Sequence, residues 1–270
     1  MKGRRSVLRE VAILLAAAVV LAAAAFGGQR LLFKRSPVSG ELAKNLDASL
    51  GSVVRSQVLA THTMIDIPSV SEDFTVIVDR LRDALPGERT DFEVIVLQSA
   101  EINAFTLPGN TICVDTGLIR QLHSADEMAG VLGHELSHAV NRDPLTLLAR
   151  RLGVAALLGA LSGGQGGTIF ANAAETLVDV HYGREAEDRA DAFSVALLAR
   201  AGIPPAAFGD ALERIKKADP KNPGLLKYID PHSPVDERIS RARTLAARQS
   251  FAPRPLGVDW AALVQALPAR

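Results

Sequence analysis

The run His134-Glu135-Leu136-Ser137-His138 constrains this chain more than any other feature, because it sets two imidazoles and a carboxylate along one short segment. Just upstream, Ser124-Ala125-Asp126-Glu127 has the form of a capping box, in which the serine and the glutamate side chains each reach a free backbone N–H. The box predicts a helix through Met128, Val131 and Leu132 to about Asn141, with a break at Asp143-Pro144. On such a helix residues four apart share a face, so His134 and His138 can meet one cation. Glu135, one position on, is angled away from the metal and toward a water beside it. A divalent metal lowers the pKa of water from 15.7 toward ~7, and a carboxylate can then take the proton. Two histidines and an acid also arise by chance on polar helix faces, so a third ligand has to decide.

A third histidine six residues on would need Gly and His where this chain has Asn141 and Pro144, which rules out the metzincin pattern. The other common arrangement takes a glutamate from a second helix. Glu187-Asp188-Arg189-Ala190-Asp191 supplies it, with Glu187 and Asp191 on one face. Glu187 is then the third metal ligand, and Asp191 accepts a hydrogen bond from a ligand imidazole. Taken without the histidine motif, the surrounding Arg184, Glu185, Asp188 and Arg189 would read as a solvated charged face. Two histidines and a glutamate make one Zn²⁺ per chain the expected cofactor.

The rest of the chain divides into an N-terminal membrane segment, residues 1–35, and a folded body, residues 36–270. Lys2, Arg4, Arg5 and Arg9 precede a charge-free stretch from Val11 to Gln29, close to the roughly 20 apolar residues that span a bilayer. This segment is either an uncleaved anchor with the body exported, or a signal peptide cut near Ala23-Ala24-Ala25. Lys plus Arg (30) equals Asp plus Glu (30), so no long-range field favours nucleic acid as a partner. Cys113 is the only cysteine, which excludes an intrachain disulfide and a cysteine metal site. Its apolar surroundings predict a buried, unreactive thiol.

Apolar spacing predicts helices over Leu42–Ile65 and Ser71–Leu85, the latter with Phe74, Ile77, Leu81 and Leu85 on one face. Three short β-branched runs follow, Phe92–Leu97, Asn103–Leu107 and Thr111–Val114, the last two joined by the turn residues Pro108-Gly109-Asn110. Further helices are expected over about Thr176–Ala201, Pro205–Ala218 and Pro234–Ala247. Before them, Ser162–Gly167 is glycine-rich, either a plain loop or a flap beside the cleft. The expected fold is α+β, mostly helical, with a small antiparallel sheet and the metal held between two helices.

Four segments in order carry a resemblance: Asn103-Ala-Phe-Thr-Leu-Pro-Gly109, Ser124 through His138, Tyr182 through Asp191, and Pro231-His-Ser-Pro-Val-Asp-Glu-Arg-Ile239. The sequence resembles the zinc metallopeptidase family that contains the heat-shock membrane protease HtpX, the outer-membrane quality-control protease BepA and the CAAX prenyl endopeptidases. The resemblance implies a zincin-like core and hydrolysis of polypeptide substrates, unfolded or misassembled proteins of the bacterial envelope, with envelope protein complexes as potential partners. It implies that Asn103, Ala104 and Phe105 lie on an edge strand that binds an extended substrate, although an ordinary covered strand would read the same. His232 is implied either as a hydrogen-bond donor to the tetrahedral intermediate or as a cap that shuts the zinc site, against the plainer reading of a surface histidine in a proline-bounded turn. His62, His123 and His181 read as structural. A rival from another class is a zinc-stabilised chaperone or adaptor with a closed site.

Overall fold

The computed structural model describes residues 40–86, 90–153, 156–157, 159, 173–175, 177–178, 182–218, 228 and 234–269. The membrane segment expected over residues 1–35, the glycine-rich run 162–167, His181 and His232 lie outside the described residues. Among the described residues no helix is long and apolar enough to cross a membrane. By internal contacts the chain divides into Met1–Lys44 and Asn45–Arg270. Of the first unit the description covers Gly40–Lys44, at the start of helix α1 (Glu41–Thr61); everything below concerns the second.

Helix α1 buries Leu46, Leu50, Val54 and Val58, a stripe at i, i+4 spacing. It stops at Thr61 rather than Ile65, because the chain leaves the helix to pair with a strand. Ile65 donates its N–H to the Val96 carbonyl at 2.8 Å, and Gln98 donates to Thr63 at 2.8 Å. Helix α2 (Pro68–Asp83) opens on Pro68, whose missing N–H costs nothing in a first turn. It buries Val70, Phe74, Ile77, Val78 and Leu81.

The strands are β1 (Glu93–Leu97), β2 (Ala104–Leu107) and β3 (Thr111–Asp115), in the spatial order β1-β3-β2. The sheet is mixed, not antiparallel as expected: β2 and β3 form an antiparallel hairpin, while β1 runs parallel to β3. The reason lies in residues 98–103, which cross the end of the sheet instead of turning back as a hairpin. Thr116 Oγ1 donates to the Ser99 carbonyl at 2.8 Å, and the Gly117 N–H donates to the same carbonyl at 2.9 Å. A Cβ on Gly117 would stand 2.3 Å from the Glu101 carbonyl oxygen, so only glycine lets the crossover lie this close. The crossover feeds a short helix, α3 (Thr116–Gln121), that apolar periodicity did not reveal.

Helix α4 (Ala125–Val140) carries the histidine motif and is buried from Ala125 to Ala139 on nearly every face. Its N-cap is Ser124, whose Oγ accepts the Glu127 N–H at 3.2 Å. The glutamate half of the box is shifted by one: Glu127 Oε2 accepts from His123 N–H at 2.8 Å, and Oε1 takes Arg214 Nε at 3.1 Å. Arg142, with φ of +50°, then swings the chain into α5 (Asp143–Leu152).

Helix α6 (Arg184–Ala201) starts later than the expected Thr176, since Tyr182 and Gly183 are not helical and the Gly183 carbonyl accepts from Ala186 and Glu187. Helices α7 (Ala207–Lys216), α8 (Val235–Ala246) and α9 (Trp260–Ala266) complete the described elements. The α4 helix packs on α6, on α7 and on β2. Close approach to α7 depends on Gly130, where a Cβ would meet the Phe208 backbone at 2.8 Å. Ser194 of α6 donates to the Gly130 carbonyl at 2.6 Å, so the two long helices are fastened beside the site.

Candidate metal centre

A helix buried on all sides must satisfy whatever polar groups it carries, because an unpaired polar group in the interior costs more than it returns. The three acid and imidazole side chains of the α4 motif do so by facing carboxylates and one another. His134 Nε2 and His138 Nε2 stand 3.2 Å apart, as i, i+4 spacing requires. Glu187, from the first turn of α6, brings Oε2 to 3.5 Å from His134 Nε2 and Oε1 to 3.7 Å from His138 Nε2. The three residues offer ligand atoms that all lie within 4.8 Å of one another. Donors bound at about 2.1 Å around a tetrahedral zinc stand about 3.4 Å apart, so the donor set fits such an ion with little movement.

Each imidazole turns its other nitrogen to a carboxylate. His138 Nδ1 is 2.8 Å from Asp143 Oδ2, and Arg189 Nη2 holds both oxygens of Asp143 at 2.9 and 2.7 Å. His134 Nδ1 is 3.1 Å from Asp191 Oδ1. That approach is close but outside hydrogen-bond alignment. Arg238 of α8, 1 % exposed, grips both Asp191 oxygens at 3.0 and 2.7 Å and places Nη1 3.4 Å from Glu187 Oε2. Aromatic rings pack around the pair: Tyr182 stacks on His138 with centroids 4.1 Å apart, Phe208 lies 5.5 Å from His134, and Tyr228 meets His134 edge-on at 5.9 Å.

The electrostatics follow from this packing. Burial disfavours a charged His134, but the Asp191 and Glu187 carboxylates outweigh it and push the imidazole up to about 9. A cation at Nε2 must therefore displace a proton. Burial would raise Glu187, yet His134, Arg238 and His138 prevail and hold it at about 2. Asp191 is likewise held low against burial by His134 and Arg238. Glu135 goes the other way: buried to 4 % exposure, it is raised by desolvation despite His134, His138 and a hydroxyl contact. That hydroxyl is Thr106 Oγ1 of β2, 2.8 Å from Glu135 Oε2 and 3.0 Å from the Glu135 carbonyl.

Residues 68–246 match the family described as peptidase family M48. The chain belongs to peptidase family M48. This M48 peptidase is 24% identical over 245 residues to the beta-barrel assembly-enhancing protease of Yersinia pestis, covering 81% of this chain and 48% of that protein. It is 26% identical over 175 residues to the metalloprotease LoiP of Escherichia coli, covering 63% of this chain and 68% of LoiP. It is 30% identical over 210 residues to an HtpX homologue of Syntrophotalea carbinolica, covering 61% of this chain and 72% of that protein. The chain spans less than half the length of the first two curated relatives it matches.

M48 peptidases are zinc enzymes, and the expected residues His134, Glu135, His138, Glu187 and Asp191 are brought together in this member of the family. Asn103, Ala104 and Phe105 are buried at the outer edge of the sheet, next to that cluster. Two other segments reach the start of this edge: Asn103 Nδ2 donates to the Val178 carbonyl at 3.0 Å, and Tyr228 N–H donates to Ile102 at 3.2 Å. Sequence reasoning missed Thr106, Asp143, Arg189 as a partner of Asp143, Arg238 and the two tyrosines. Asp143 had a signal, an acid just past the end of the histidine helix, but it was absorbed by the Asp-Pro break. Cys113 is buried, and desolvation, Asp115 and Glu93 raise its thiol, as an unreactive cysteine requires.

Proposed function

We propose that the chain is a zinc-dependent endopeptidase acting on unfolded or misassembled proteins of the bacterial cell envelope. The observation that carries the reading is the buried cluster of His134, His138 and Glu187 with Glu135 one residue from the first ligand. These three residues would hold the ion, which supplies Lewis acidity and a lowered pKa for water. Glu135 takes the proton of the attacking water and passes it to the leaving amine, a role suited to a carboxyl raised by burial toward the working pH. Asp191 and Asp143 orient the two imidazoles from behind, and Arg238 and Arg189 keep those carboxylates in place.

An extended substrate adding to the outer edge of β2 at Asn103, Ala104 and Phe105 would be recognised mainly through its backbone, which suits unfolded chains of varied sequence. The envelope location rests on the charge-free stretch Val11–Gln29 and on relatives named for β-barrel assembly. For His232, outside the described residues, the family resemblance supports a role as a donor to the intermediate or a cap on the ion.

The test is cleavage of casein by the full chain in detergent, with and without Glu135→Gln. Loss of cleavage in the variant, with metal content unchanged, supports the peptidase and its base. Equal cleavage by both proteins sinks the mechanism. No cleavage by either, with zinc bound, favours the closed-site adaptor.

A further inference from the structure

The chain has two tyrosines in 270 residues, and both stand against the metal cluster. Tyr182 lies flat on His138, and Tyr228 meets His134 edge-on. Both hydroxyl oxygens are buried and have no hydrogen-bond partner among the described residues. The side chains come from unrelated places. Tyr182 precedes α6, whereas Tyr228 is pinned by its backbone N–H to Ile102 at the entry to β2.

Packing alone does not account for these hydroxyls. Phenylalanine offers the same ring against an imidazole without a buried polar atom, and Phe208 does this on His134 at 5.5 Å. Buried hydroxyls are nearly always paired, so an unpaired one points to a partner that arrives with a ligand. A phenol carries an O–H donor that a phenylalanine lacks.

We propose that Tyr182 and Tyr228 donate hydrogen bonds to the scissile peptide unit from either side of the metal cluster, and are further catalytic residues of the reaction. As the water oxygen bonds to the carbonyl carbon, the π pair moves onto the carbonyl oxygen, and a preplaced O–H donor gains strength with that charge. The partner that the described residues do not supply is, on this inference, the substrate. The inference rests on the peptidase reading above.

The test is Tyr182→Phe and Tyr228→Phe in the full chain, measured beside Glu135→Gln. Each phenylalanine variant is expected to keep its KM for a peptide substrate and lose roughly 10²-fold in kcat, the usual cost of one oxyanion donor. Each should also bind a phosphinic peptide, a mimic of the tetrahedral carbon, at least about tenfold more weakly. The melting temperature of each metal-free variant should equal or exceed that of the wild type, since a buried unpaired hydroxyl has been removed. A variant with wild-type kcat and phosphinate affinity overturns the assignment of its own hydroxyl. A variant that melts lower and loses activity in proportion to folded fraction shows a structural role and overturns it equally. If Glu135→Gln retains full activity, the assignment of Glu135 as base fails first, and the phosphinate affinities decide the tyrosines on their own.

Discussion

Thr106→Val is the sharpest probe of how the site is held. Valine matches threonine in shape, so the change removes a hydroxyl and leaves the packing of β2 intact. Thr106 is 0% exposed, and its Oγ1 lies 2.8 Å from Glu135 Oε2 and 3.0 Å from the Glu135 carbonyl. One hydroxyl proton serves two acceptors that no water replaces at full burial. A hydrogen bond to a charged group contributes about 1.5–3 kcal/mol, and an acceptor left bare in the interior loses the same order. Urea unfolding of the metal-free protein should therefore show a loss of about 1.5–3 kcal/mol, or a fall of roughly 3–12 °C in Tm for a domain of this size. A stability loss alone would fit any buried hydrogen bond, so kinetics must separate the roles. Thr106→Ser keeps the hydroxyl and should retain kcat, whereas Thr106→Val should lower kcat at unchanged KM because Glu135 is free to turn away from the attacking water. If the valine variant is as stable as wild type and matches the serine variant in kcat, Thr106 does not position Glu135.

Arg238→Met should destabilise the metal-free fold by about 3–5 kcal/mol, because it strands Asp191 and Glu187 charges that burial already opposes; a loss below about 1 kcal/mol in urea unfolding would show that Arg241 and water replace it. Zinc affinity should rise with pH. His134 is raised from 6.5 to about 9, so over that window the ion must displace a proton, and competition with a chromophoric chelator should show up to about tenfold per unit, flattening above about 9. The same sign predicts that the His134 contribution to the stability of the metal-free protein is complete below about 6.5 and is lost as pH climbs through about 9; pH-independent zinc affinity would refute both. Because both tyrosines are raised well above 10, phenolate absorbance should appear only beyond that value and together with unfolding. A reversible ionisation near 10 in the folded chain would show that at least one hydroxyl is exposed.

How far the site was legible depended on whether the chemistry was local in the sequence. His134, Glu135 and His138 are written into one capped helix, and Glu187 with Asp191 into one turn of another, so periodicity placed each set on one face, while the pairing of the two helices rested on the two-histidine-plus-glutamate ligand pattern. The sheet was legible as three strands but not as a mixed sheet, since the choice between hairpin and crossover lay in the fit of Gly117 against the Glu101 carbonyl. The start of α6 was misplaced because the apolar run before Tyr182 continues a helical pattern through Gly183, where the backbone turns out of it. Thr106, Arg238 and the tyrosines were illegible for a common reason. Each acts through a partner on a distant element, and a threonine in a strand or an arginine in an amphipathic helix carries no local sign of it. Helix α9 and α3 were missed as short elements whose apolar residues are too few to show a period.

The layout also explains why both histidines of the candidate metal site can sit in a core without collapsing it. An imidazole that offers Nε2 to a cation must find an acceptor for Nδ1, and a carboxylate brought into the interior for that purpose must itself be neutralised. Here the chain repeats one solution twice: His138 backed by Asp143 and Arg189, His134 backed by Asp191 and Arg238. The four supporting groups come from α5, α6 and α8, so the orientation of the metal-binding face of α4 is set by three other helices rather than by α4 itself. A displacement of α8 would loosen Arg238, hence Asp191 and Glu187 together, and with them the third ligand. Tyr228, between α7 and α8 in the chain, reaches the entry to β2 through its N–H to Ile102.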